Sequence, residues 1–174
     1  MRFAFFLPFV ALLFSGCAGY KIGPVQPKFM DGIHRIAIPS VKNDTLEPRV
    51  EVLLANALIK QFQQDGTYQI VDEKDADAIV KGTLMRITRH AARSVTGNVL
   101  LTKEYTLELK CRFEVHNRLT GVMSDARTVN GVTSFFVTGS VDGSADVNQD
   151  ERQAIPLAAE DMAIQYVSQL SEGW

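Results

Sequence analysis

"KEYTLELKCRFEVH", residues 103–116, decides the fold. Tyr105, Leu107, Leu109, Cys111, Phe113 and Val115 fall at every second position, and the residues between them, from Glu104 to His116, are polar or charged. A repeat of two is the side-chain period of a β-strand; a helix would scatter the same residues around its circumference. The pattern specifies a strand whose sheet has one face on a core and the other on water or a polar partner. Cys111 belongs to the apolar series, so it reads as a core thiol.

The neighbours of this strand are hairpin partners. On its N-terminal side, "AARSVTGNVL", residues 91–100, carries Gly97-Asn98 and reads as a connection to a strand from Ala78 to about His90. On its C-terminal side "NRLTG" makes a turn into "ARTVNGVTSFFV", residues 126–137, rich in β-branched and aromatic residues. Further upstream, "HRIAIPSV", residues 34–41, is a short strand in which Pro39 ends the ladder or marks an edge, and "YQIV", 68–71, is another.

Two segments have helical spacing instead. Val50, Leu53, Leu54, Ala57, Leu58 and Phe62 predict a helix over about 48–64, with Pro48 at its first position and Gly66 ending it. Ile155, Ala159, Met162, Ala163, Tyr166, Val167 and Leu170 form a second stripe, capped by Asn148 or Asp150, with Pro156 in its first turn or at a kink. Residues 138–150, small and acidic, read as a loop. The order β-α-β-β-β-β-α predicts an α+β two-layer sandwich, a mainly antiparallel four- to five-stranded sheet with two helices on one face.

Residues 1–16, MRFAFFLPFVALLFSG, have one positive charge and then an uncharged run from Phe3 to Phe14. The run is shorter than the roughly 20 residues that cross a bilayer, and it describes a secretory signal. Ser15-Gly16 before Cys17 resembles a lipobox, with Phe14 where Leu is usual; it implies that Cys17 carries a diacylglycerol and an acylated amino group. Ala18 in the next position favours the periplasmic face of the outer membrane. Residues 17–32 then read as lipidated N-terminus and tether, and 33–174 as one domain of net charge close to neutral.

No catalytic constellation is present. His34, His90 and His116 have no metal-ligand spacing, there is no CxxC, and Ser40, Ser94 and Ser134 lack a G-x-S-x-G setting. Asp142, Asp146 and Asp150 are spaced by four, unlike the alternating ligands of an EF-hand loop. We therefore expect no enzyme, no cofactor and no metal. Charge is segregated instead: residues 81–118 carry a net +5 and residues 119–174 a net −6. Arg86, Arg89, Arg93 and Lys103, of which the last three gather near one end of the hairpin, are the expected anion-binding set, because arginine forks hold phosphate in bidentate fashion. Outside the cytoplasm nucleic acid is not the expected ligand; the phosphates of lipopolysaccharide are.

"GCAGYKIG" at 16–23, "IHRIAIPSVKNDTLEPRVEVLLANALIKQF" at 33–62 and "ADAIVKGTL" at 76–84 together resemble the lipopolysaccharide-assembly lipoprotein (LptE) family. Asp77 and Gly82 fit its aD-x-x-x-x-G element. The resemblance implies a non-catalytic plug inside the LptD outer-membrane β-barrel, which helps that barrel assemble and binds lipopolysaccharide near the hairpin at 78–116. It also implies basic residues in the hairpin loop, where Arg93 is the positional counterpart, and in the loop before the last helix. The segment 138–149 here contains no Lys or Arg. The alternative from the residues alone is a free periplasmic lipoprotein for another anionic lipid or cell-wall ligand.

Overall fold

A computed structural model describes residues 26–95, 98–137 and 147–171. The signal segment, Cys17 and residues 138–146 of the expected acidic loop lie outside the described residues. The elements are β1 (Arg35–Ala37), β2 (Lys42–Asn43), α1 (Val50–Asp65), β3 (Gln69–Ile70), β4 (Ala78–Val95), β5 (Asn98–Asn117), β6 (Met123–Phe136) and α2 (Val147–Ser171). This is the α+β sandwich the alternation in β5 specifies, with both helices packed on the sheet face that carries the apolar series.

The described strands form a six-stranded sheet in the order β3-β1-β4-β5-β6, with β2 also on β4. The long pairs β4–β5 and β5–β6 are antiparallel; the short strands β1, β2 and β3 pair in parallel. The stretch 34–41 does not run through as one strand. Pro39 has no N–H to offer the ladder, and pairing with β4 stops at Ala37 and resumes at Lys42. The hairpin arms are longer than the apolar pattern covers, reaching Val95 and starting again at Asn98.

Leu107, Leu109, Cys111, Phe113 and Val115 of β5 are fully buried. Against them lie Phe62 of α1 and Ala159, Met162, Ala163 and Tyr166 of α2. Tyr166 stacks on Phe113 at 4.1 Å between centroids and meets Phe62 edge-on at 6.3 Å. Each large side chain buried in this way contributes roughly 1.5–3 kcal/mol. Gly131 of β6 lets α2 come close: a Cβ there would stand 2.0 Å from the carbonyl oxygen of Ala158. Burial pushes the Cys111 thiol up to about 12, which suits a packed, inert group.

Helix α1 starts at Val50, after Pro48, and its N-cap Arg49 is left-handed at φ 70°. Gly66 ends it as expected, at φ 73°, its N–H donating to the Phe62 carbonyl. Helix α2 already includes Asn148 and Asp150, so neither is its cap, and Pro156 lies ten residues in rather than in the first turn. The end of the segment expected as tether packs on the domain, where a 3-10 turn at Lys28–Met30 buries Met30 completely.

The two helices run parallel. At one end Val50 and Leu53 of α1 border the same cleft as Arg152 and Ile155 of α2. Midway, Lys60 pairs with Glu160 at 3.0 Å, and at the far end Ser171 Oγ donates to Asp65. The direction follows from connectivity, since α1 must run back between the parallel strands β1 and β3. Strand β6 ends beside the β4–β5 hairpin, so α2 also starts there.

Candidate functional site

Both helix N-termini and the basic hairpin therefore share one pole. A helix start carries roughly half a positive charge from its aligned peptides, an effect confined to the first turn, and Arg89 is the hairpin arginine on that side of the sheet. The placement of those arginines depends on irregularities in β4. Up to Leu84 the inward residues are Ala78, Val80, Gly82 and Leu84; Met85 is then inserted, and Arg86 pairs with Lys110. From there Ile87, Arg89 and Ala91 share the face of Leu109, Leu107 and Tyr105, and Arg86, Thr88 and His90 share the polar face. A second shift after Ala91 returns Arg93 to the polar face, opposite Glu104.

The four expected anion-binding residues are consequently not one cluster. Arg86 stands across from Lys110, and neither has an ion-pair partner among the described residues. Like charges directly opposed in a sheet cost roughly 0.2–1 kcal/mol, a cost that a bound anion reverses. Arg93 is 73% exposed and only loosely paired, 3.7 Å from Glu104. It lies about 20 Å from Arg86 along the strand, at roughly 3.3 Å per residue. Lys103 lies on β5 at the register shift beside Glu104; its side chain is outside the described residues.

Arg89 is different. It points to the helix side and pairs with Glu151 of α2 at 2.9 Å. Glu151 is only 6% exposed, and its Oε1 has no hydrogen-bond partner. Burial holds its carboxyl above the usual carboxylate range, against the attraction of Arg89 and with added repulsion from Glu47. Arg89 therefore joins the hairpin to the start of α2. No spacing in the sequence signals this pair, whose members are 62 residues apart.

The Asp77–Gly82 element is structural. Asp77 accepts hydrogen bonds from the backbone of His34 and Arg35 and from the Arg35 guanidinium, at 3.2, 2.8 and 2.7 Å. Chiefly the Arg35 guanidinium holds its carboxyl well below the usual range, at about 2. The bonds fasten β1 to the start of β4. At Gly82 a Cβ would stand 2.9 Å from the Phe113 ring. Asp77 and Gly82, two of the residues in the family likeness, thus help to lock the sheet.

The model of the family described as LptE, lipopolysaccharide-assembly, matches residues 33–170, almost the whole of the described domain. The chain belongs to the LptE family. No curated protein matches. Among solved structures, the chain is similar to a minor lipoprotein of Acinetobacter baumannii at 20% identity and a TM-score of 0.53, covering 81% of this chain and 92% of that one. It is also similar to the protein XCC0632 of Xanthomonas campestris at 8% identity and a TM-score of 0.54, covering 80% and 85%. At these identities the likeness shows a shared fold. Among the described residues of this LptE-family chain, no helix is long and apolar enough to cross a membrane.

Proposed function

We propose that this LptE-family protein is a lipid-anchored, non-catalytic subunit of the outer-membrane lipopolysaccharide translocon. In this reading Cys17 holds it on the periplasmic face, the domain plugs an LptD barrel and helps it assemble, and the basic hairpin binds lipopolysaccharide. The observation that carries it is the polar face of the basic hairpin, where Arg86 stands opposite Lys110 and Arg93 is 73% exposed, in a chain of this family. Phosphates of a glycolipid meet there a positive field, and neither Arg86 nor Lys110 has an ion-pair partner among the described residues.

The rest of the surface supports a plug. The outward sheet face is polar and sets opposite charges across strands at several places, as in Lys81 opposite Glu114 and Arg93 opposite Glu104. Such a face sits in a wet barrel lumen without desolvating a large apolar patch. Two or three acyl chains on Cys17 suffice for stable anchoring and confine the encounter with a barrel to a plane.

Co-purification tests the reading. A tagged full-length protein should bring down a large, heat-modifiable β-barrel from outer-membrane extracts. Recovery of the lipoprotein without any barrel would refute the plug and favour a free periplasmic binding protein.

A further inference from the structure

A cleft of about 520 Å³ lies between the first turn of α1 and the second and third turns of α2, lined by Glu47, Arg49, Val50, Leu53, Arg152 and Ile155 together with Pro48. Its size falls in the range of small-ligand sites, roughly 300–1,000 Å³. Arg49 and Arg152 reach it from different helices, and neither has an ion-pair partner among the described residues. Val50, Leu53 and Ile155 give it an apolar wall, and Glu47 is its one acidic residue. We propose that this cleft is a phosphate-binding site, in which Arg49 and Arg152 together hold the phosphate group of a small ligand or of a lipid headgroup.

The choice of phosphate over carboxylate follows from geometry and charge. A single arginine fork satisfies both oxygens of a carboxylate, whereas a phosphate has oxygens for two forks approaching from two sides. The start of α1 at Val50 borders the same cleft and adds its positive end to the two guanidinium groups, which favours the more highly charged group. The apolar wall takes the uncharged remainder of the ligand, and Glu47 offers an acceptor to a hydroxyl. None of this uses the hairpin arginines: the two sites are made from different residues and fail separately.

Calorimetry on the full-length protein in neutral maltoside micelles tests the proposal, in two arms. One titrates inorganic phosphate; the other titrates micelles doped with phosphatidic acid against micelles doped with phosphatidylcholine. Binding of inorganic phosphate identifies a free phosphorylated ligand, and binding only of phosphatidic acid identifies a lipid headgroup. In either case Arg49→Gly with Arg152→Gln should weaken binding tenfold or more, while Lys74→Ala, at an exposed lysine outside both sites, leaves it within twofold. Glycine suits the left-handed backbone at position 49, so the cleft variant is expected to fold. Should circular dichroism show it unfolded, Arg152→Gln alone, at an exposed helix position, is expected to weaken binding at least threefold. No binding in both arms, or binding unchanged in the folded cleft variant, overturns the proposal.

Discussion

Replacing Arg89 by Ala tests whether this arginine is a structural tie or a free ligand group. Its guanidinium lies 2.9 Å from the Glu151 carboxylate, with 44% of the arginine side chain exposed and 6% of the glutamate. Removing one partner of a fully buried pair costs about 3–5 kcal/mol, because the other charge stays buried. Half-exposure of Arg89 lets water reach its side of the pair, so we expect a loss of about 2 kcal/mol near pH 8. In the double variant Arg89→Ala/Glu151→Ala no carboxylate is stranded, and the cycle should return a coupling of about 1–2 kcal/mol. The sign with pH follows from the raised Glu151 titration. Ionising a buried carboxyl opposes folding, and losing Arg89 raises its folded-state titration further. The deficit is therefore largest above that titration and shrinks as pH falls through it and Glu151 becomes neutral. Urea unfolding of both variants and the parent at about pH 8 and about pH 5 measures this. A loss under about 0.5 kcal/mol at pH 8, or one equal at both pH values, would refute the tie.

Other substitutions have equally direct readouts. Gly131→Ala forces a Cβ to within 2.0 Å of the Ala158 carbonyl and should cost about 3 kcal/mol or more in urea unfolding; a change under about 1 kcal/mol would contradict the close helix–sheet approach. Asp77→Ala strands two backbone N–H groups and should cost about 2 kcal/mol at neutral pH. Because folding holds the Asp77 carboxyl at about 2, its contribution is complete above roughly pH 4 and disappears as pH falls towards 2; an acid-unfolding curve of the variant that still shows this loss would assign it to other groups. Arg86, Arg93 and Lys103 changed together to Ala should weaken lipopolysaccharide binding at low salt by tenfold or more with the unfolding midpoint kept, and unchanged binding would remove the hairpin from the site. Cys17→Ala should abolish incorporation of labelled fatty acid, and a labelled variant would disprove anchoring at that residue.

The architecture was legible wherever the code is local. Alternation in β5 and the stripes of the two helices identify which faces are apolar, and Gly66 marks an end because a left-handed residue is needed there. Boundaries were less so. Nothing local announces that the first helix begins at Val50 rather than Pro48, or that α2 extends back to Val147. The hairpin charges were visible in the sequence, but their faces were not. Strict alternation from Ala78 would turn Arg86 and His90 to the core and Arg89 to water, and the insertion at Met85 reverses all three.

The sequence by itself determined a two-layer sandwich of this family, with a basic hairpin and an apolar sheet face, since those features depend on residue periods and composition within single segments. Only the tertiary structure decided that Arg89 serves Glu151 and that Arg49 and Arg152 share a cleft. It also brought two helix starts to the pole of the hairpin. These outcomes depend on strand register and helix direction, which pairings between distant segments set, and a one-residue bulge is enough to turn Arg89 from the polar face to the helix side of the sheet.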